Sequence, residues 1–276
     1  MPNWDHGLPP QQDEQVFAWL DSHLKDAPAF LKVTPIHLEK KGRAIMAQWE
    51  FSGPRTATSA ELILSYGEGN WPRRAWTTLP ATMKDGACAV ELPSSTIPFY
   101  ISGTISDAKG FRYSTSLLKV EPQTFGKKPR ANMLPVNGAA MWGGFEEHEI
   151  RFLNGLAWAH PPVSNDARTG KQSVALVVGK NNLAPLLFTA GVMHRFSGFV
   201  KADKPTKITL EIAGQFDGQP KTVQREYSLS TQWTKITLDF LPPLTTNGSL
   251  QATLIAPENA AVVLDDVSFV PVWNEK

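Results

Sequence analysis

A chain of 276 residues with 42% hydrophobic content is long enough for two domains of ordinary size and rich enough for packed cores. A net charge of +1, with lysines and arginines scattered along the chain, gives no electrostatic footprint for a nucleic-acid backbone. No run approaches the roughly 20 apolar residues of a membrane span, Met1 to Glu14 lacks the pattern of a secretory leader, and the one cysteine, Cys88, reads as a small buried strand residue.

After Pro9-Pro10 the spacing predicts a helix over Gln11 to Leu24, with Val16, Phe17, Trp19, Leu20 and Leu24 as its apolar residues. Phe17, Leu20 and Leu24 fall on one face. Asp13 and Glu14 complement the positive end of the helix dipole, and Pro28 stops the helix. Such a face is expected to pack on the next domain or on one that is missing.

From about Lys32 to Glu121, short β-prone runs alternate with turn signals at intervals of about ten residues. The runs are Ala44 to Phe51, Ala60 to Tyr66, Ala75 to Leu79, Ala87 to Leu92, Pro98 to Asp107 and Ser114 to Val120. Ile45, Ala47, Trp49 and Phe51 alternate, so one face is buried. Lys84-Asp85-Gly86 and Asp107-Ala108-Lys109-Gly110 supply glycine where a hairpin turn needs positive φ. The spacing predicts an immunoglobulin-like or fibronectin-like sandwich.

Pro122 to Pro135 reads as a linker, rich in proline, glycine, lysine and asparagine. The remainder is again β, with runs at Ser173 to Val178, His194 to Lys201, Lys207 to Ala213, Thr222 to Leu229, Thr234 to Phe240, Ser249 to Ala256 and Ala261 to Pro271. The expected fold class is all-β: an immunoglobulin/fibronectin-like sandwich followed by a β jelly-roll sandwich, with a short N-terminal helix. The expected boundaries are 1–31 for the helical tail, 32–121 for the first sandwich, 122–135 for the linker and 136–276 for the second sandwich.

Five landmarks occur in order in the second half. They are Gly144-Phe145-Glu146, Gly170 to Leu176, Arg195 to Lys201, Trp233 to Leu238, and Leu264-Asp265-Asp266-Val267. Together they resemble the frame of the carbohydrate-binding modules of families four and nine. The resemblance implies a polysaccharide or oligosaccharide partner. It also implies a structural calcium ion held by Glu146 near the first strand and by Asp265 or Asp266 in the last. Carboxylates from both ends with nearby carbonyls would suit a hard cation. The alternation Val263, Asp265, Val267, Phe269 puts Asp265 on the apolar face, which favours it over Asp266 as a ligand. The bland alternative is that the two acids bond backbone amides and cap loops. For sugar stacking the candidate rings are Trp142, Trp158, Phe188, Phe216 and Tyr227, with Trp158 beside His160, Pro161 and Pro162 preferred and Trp233 expected in the core.

At the other end, Pro2-Asn3-Trp4-Asp5-His6-Gly7 followed by a helix resembles the last catalytic stretch of an α/β-hydrolase. Trp71-Pro72-Arg73-Arg74-Ala75-Trp76 and Tyr113-Ser114-Thr115-Ser116 resemble the appended domain of PhoPQ-activated pathogenicity-related proteins and planctomycete esterases. The resemblance implies that His6 is a catalytic base whose hydrolase domain is missing. It also implies a secreted or periplasmic parent. The chain holds no Gly-x-Ser-x-Gly, and a base without nucleophile and oxyanion hole makes no acyl-transfer site. The alternative is a surface histidine. Glu146-Glu147-His148-Glu149 reads as a solvated acidic loop, and no His-x-x-x-His or cysteine pair supports zinc. Three functions stand at this point: a non-catalytic carbohydrate-binding accessory region, a fragment of an ester hydrolase, and a structural or adhesion module.

Overall fold

The computed structural model of the protein describes residues 10–25, 29–68, 74–126, 132–134, 136, 163–245 and 247–272. One helix, α1 (Pro10–Leu24), precedes the strands. Among the described residues no helix is long and apolar enough to cross a membrane. The chain divides into two compact units, each containing a pair of antiparallel sheets.

The first unit contains β1 (Lys32–Val33), β2 (His37–Lys41), β3 (Ala44–Ser52), β4 (Ala57–Tyr66), β5 (Thr77–Pro80), β6 (Thr82–Lys84), β7 (Ala87–Glu91), β8 (Phe99–Asp107), β9 (Arg112–Ser114) and β10 (Leu118–Val120). One sheet runs β1-β3-β7-β6 with β2 also on β3, and the other runs β10-β8-β4-β5 with β9 also on β8. Successive long strands change sheet, so the unit is a β-sandwich of two antiparallel sheets. The alternation in β3 works as read: Ile45, Ala47 and Trp49 are buried. Cys88 lies opposite Trp49 across the ladder and is buried, and burial pushes its thiol up to about 11. Gly103 on β8 lets the Trp49 ring lie against the backbone, because a Cβ there would come 2.6 Å from the ring's Cε2. Asp85 and Gly86 both take positive φ, as the β6–β7 hairpin requires.

Two expectations change in this unit. Gln15, Ala18, Asp21 and Ser22 of α1 are half-buried, while Phe17 and Leu24 are 66% and 76% exposed. The helix is attached through its polar side: the Gln15 amide donates to Arg112 O at 2.8 Å and accepts from Arg112 N at 3.1 Å, as a neighbouring strand would. The expected linker is partly built into the unit. Pro122–Phe125 forms a 3-10 turn, Phe125 stacks on Phe99 with ring centres 6.1 Å apart, and Leu134 N donates to the Tyr66 hydroxyl at 3.0 Å.

The second unit contains β11 (Val163–Ser164), β12 (Ser173–Leu176), β13 (Gly179–Pro185), β14 (His194–Ala202), β15 (Thr206–Phe216), β16 (Gln219–Leu229), β17 (Thr234–Phe240), β18 (Gly248–Ala256) and β19 (Val262–Pro271). A five-stranded sheet runs β11-β12-β19-β14-β17 and a four-stranded sheet runs β13-β18-β15-β16. Their inner faces form one core that includes Phe188, Phe196, Ile208, Leu210, Phe216, Ile236, Leu254, Leu264 and Phe269. Phe188 and Phe216, weighed as sugar-stacking rings, are therefore core residues at 1% and 3% exposure. Asp217 and Gly218 take positive φ and close the β15–β16 hairpin, whose register then stays unbroken from Phe216↔Gln219 to Thr206↔Leu229. That regular hairpin fixes the spacing of side chains on the outer face of its sheet.

Candidate functional site

A long antiparallel ladder sends alternate side chains to opposite faces. In β15 the buried residues are Ile208, Leu210 and Ile212, so Thr209, Glu211, Ala213 and Gln215 point outward. Register then fixes rows across the outer face. One row is Asn182, Thr253, Glu211 and Gln224; the next holds Gln251, Ala213 and Thr222; the third holds Ser249 and Gln215. Apart from Gln224, which stands beside it on the edge strand β16, these residues line an open groove of about 450 Å³, together with Lys180 and Pro220.

The edge of the groove is held by side-chain amides. Asn181 receives Val177 N at 2.8 Å and donates to Val177 O, Gly179 O and Leu254 O, which pins the start of β13. The register of β13 shifts between Asn182 and Pro185, a place where proline is tolerated because the strand is at an edge. Gln251 Nε2 donates to Leu183 O at 2.9 Å, and Thr253 Oγ1 donates to Asn182 Oδ1 at 2.9 Å. Among the described residues, Glu211, Gln215 and Gln224 make no side-chain hydrogen bond or ion pair to the protein. The floor therefore offers a half-engaged field of amides, hydroxyls and one carboxylate. Such a surface can exchange water for the hydroxyls of a polyol.

The opposite sheet has a different outer face. Phe199 and Lys235 are paired across β14 and β17, and the Arg168 guanidinium lies 3.6 Å from the Phe199 ring centre. Lys201 Nζ is 5.8 Å from the Trp233 ring and 2.7 Å from Asp166. Trp233 is half-buried at this surface rather than in the core. Trp233 precedes β17, and the Lys201 ammonium over its ring holds it at the surface, against the core position expected from its landmark.

Asp265 and Asp266 lie on this second sheet, and the alternation drawn for them fails for a specific reason. Leu264 pairs with Val200 and Asp265 with Phe199, but Ser268 pairs with Ser197. Three steps on β19 thus match two on β14, and Asp266 takes φ 49°. This is a β-bulge, and the extra residue flips the faces. Leu264 and Val267 point inward; Asp265 points outward and is 0% exposed because the 166–170 loop covers it. Its carboxylate accepts Arg168 N at 2.7 Å, Thr169 N at 3.2 Å and Asp266 N at 2.8 Å. Burial pushes this carboxyl above its usual range, against the pull of those three amides. Asp266 accepts from the Arg168 guanidinium and from the Thr169 hydroxyl, both at 2.5 Å.

A calcium ion would need about six to eight oxygen ligands. Both carboxylates here are met by N–H and O–H donors, and a guanidinium supplies the positive charge. No group of three or more histidine, cysteine or acidic residues suited to a metal occurs among the described residues. The pair as described does not fit calcium. Its geometry is that of the bland alternative, a clasp on backbone amides. Glu146, the third expected ligand, lies outside the described residues.

Tyr227 faces the sandwich rather than solvent. It packs against the core, its hydroxyl donates to Thr237 O, and it accepts Thr237 N at 3.2 Å. It ties β16 to β17 across the sandwich and its hydroxyl is engaged there. Trp142, Trp158 and His6 lie outside the described residues. The groove on β13-β18-β15-β16 was missed because polar residues on a strand read as an ordinary solvated face. Only the register brings them into one patch.

Neither a protein-family model nor a curated protein matches the chain. Among solved structures, the chain is similar to the CBM22-1 xylan-binding domain of Paenibacillus barcinonensis Xyn10C, with 19% identity, 41% of this chain and 80% of that one covered, and a TM-score of 0.33. It is also similar to the N-terminal cellulose-binding domain of Cellulomonas fimi β-1,4-glucanase C, with 18% identity, 41% and 84% coverage and a TM-score of 0.32. The CBM22-1–CBM22-2 tandem of P. barcinonensis Xyn10C matches over 88% of this chain and 91% of that one, at 12% identity and a TM-score of 0.40.

Proposed function

We propose that the protein is a non-catalytic carbohydrate-binding region whose second unit holds a polysaccharide chain along the outer face of β13-β18-β15-β16. The observation that carries this reading is the groove itself. It is open at the surface, about 450 Å³ in volume and lined by amide, hydroxyl and carboxylate groups with spare hydrogen-bonding capacity. A sugar chain is a dense array of hydroxyls, each both donor and acceptor, and side-chain amides answer both roles from one position. The polar groups also stand on paired strands rather than loops, so little order has to be imposed on binding.

Affinity electrophoresis through gels containing soluble polysaccharides tests the reading. The wild type should be retarded, and the Gln215→Ala, Gln224→Ala double variant should lose about tenfold in affinity, as expected for removing a few hydrogen bonds of about 0.5–1.5 kcal/mol each. Equal retardation of the two proteins would move the site off this face. No retardation by any polymer would remove the carbohydrate reading and favour an adhesion module that binds protein. Trp142 and Trp158 remain the ring-stacking residues of this proposal, and unaltered retention of a Trp158→Ala variant would eliminate that role.

A second reading draws on the exposed apolar side of α1, with Phe17 and Leu24 uncovered. It takes the chain as the C-terminal part of a polysaccharide-directed esterase whose hydrolase domain meets α1 and whose base is His6. The DNA upstream of the Met1 codon decides it: an in-frame Gly-x-Ser-x-Gly segment supports the esterase, and a stop codon removes it.

A further inference from the structure

Glu211 stands apart from the other groove residues. It is the acidic member of the groove lining, it sits on the inner strand β15, and Thr253 and Gln224 flank it at register positions about 5 Å away. It is half-buried. The hydroxyl of Thr253 is donated to Asn182, so it does not serve Glu211.

Among the described residues no cation of this face forms an ion pair with it. Lys207 is paired with Glu226 at 2.6 Å. Lys180 lies two strands away and one pair of residues along, which is about 12 Å from strand spacing and rise. Lys180 forms no ion pair with Glu211. The middle of the groove therefore presents an acceptor-only group with no donor of its own.

We propose that Glu211 sets the charge selectivity of the groove: it receives the hydroxyl donors of a neutral sugar chain and excludes chains that carry carboxylates. The inference rests on the carbohydrate reading above. A neutral sugar brings O–H groups, and an ionised carboxylate can accept two of them at once. A uronate brings a second acceptor of the same charge to the same place. No proton is then available to share, and like charges meet in a partly desolvated groove. Discrimination here comes from repulsion of the wrong ligand as much as from attraction of the right one.

The test compares the full-length wild type with Glu211→Gln, which keeps the shape and removes the charge. Both are run in native gels containing a neutral polymer (xylan or β-galactan) or polygalacturonate, and melting curves check that both are folded. The wild type should prefer the neutral polymer, and the neutral-to-acidic affinity ratio should fall at least tenfold in the variant. An unchanged ratio, or a wild type that binds polygalacturonate as well as the neutral polymer, overturns the role of Glu211 and leaves the groove as a glycan site. A wild type retained by neither polymer overturns the role of Glu211 together with the carbohydrate reading.

Discussion

Replacing Asp265 by alanine should release the 166–170 loop from β19. The carboxylate is fully buried and accepts three backbone amides, at 2.7, 2.8 and 3.2 Å. Hydrogen bonds to a charged acceptor contribute about 1.5–3 kcal/mol each. The desolvation that raises the Asp265 carboxyl offsets part of that sum. Two of the three donors also belong to a surface loop that water can reach once it opens. The net loss should be about 3 kcal/mol. For a unit of this size that lowers its melting temperature by about 10 °C. Arg168→Ala makes the contrast, because its ion pair with Asp266 joins partly exposed side chains and is worth at most about 1 kcal/mol. Differential scanning calorimetry of wild type, Asp265→Ala and Arg168→Ala, each in chelator and in excess calcium, measures all three. A shift of less than a few degrees for Asp265→Ala would refute the amide-clasp reasoning. So would a wild-type melting temperature that rises with calcium and falls with chelator, since a metal would then be holding the acids.

Other outcomes follow from the two cores. His194 is buried against Phe269, donates from Nδ1 to Val192 O at 2.7 Å and accepts Thr189 N at Nε2 at 3.2 Å. That pattern holds the ring neutral, and burial lowers its pKa to about 4 from 6.5. Between those values the unfolded chain takes up the proton and the folded one does not. The second unit should keep its full stability above pH 6.5 and lose about 3 kcal/mol as pH falls toward 4. Urea unfolding at pH 7, 5 and 4 reads this loss, and His194→Gln should flatten most of it. In the first unit, Gly103→Ala would set a methyl 2.6 Å from Trp49 Cε2. Overpacking at such a site costs about 1–3 kcal/mol; a denaturant midpoint equal to wild type would show that the ring can shift. Tyr227→Phe should cost about 1 kcal/mol through the lost link to Thr237, and should leave polysaccharide retention unchanged.

Fold class was legible in this chain because strand alternation and glycine turns are local signals. Ile45, Ala47 and Trp49 are buried as their spacing says, and Asp85-Gly86 turns where it should. Local rules failed where a distant residue decides the outcome. The Asp265–Asp266 bulge exists because Asp266 and Val267 of β19 face the single residue Gly198 of β14, and nothing in Leu264-Asp265-Asp266-Val267 alone announces it. Helix α1 reverses its expected face because one glutamine finds a strand edge at Arg112. Strand β13 is not among the runs the sequence marks, because its residues, Gly179–Pro185, are largely polar, end on a proline and pair as a sheet edge. The groove was hidden for the same reason. Asn182, Glu211, Gln224 and Thr253 are far apart in sequence and become neighbours only through register.

The most direct measurement is a map of ligand contact. Amide chemical shifts of isotope-labelled protein, titrated with soluble oligosaccharides from neutral polymers, should change along β13, β18, β15 and β16, with the largest effects near Asn182, Glu211, Gln215 and Gln251. Shifts confined to the Phe199 and Trp233 face, or none at all, would contradict the assignment of the groove as the binding site.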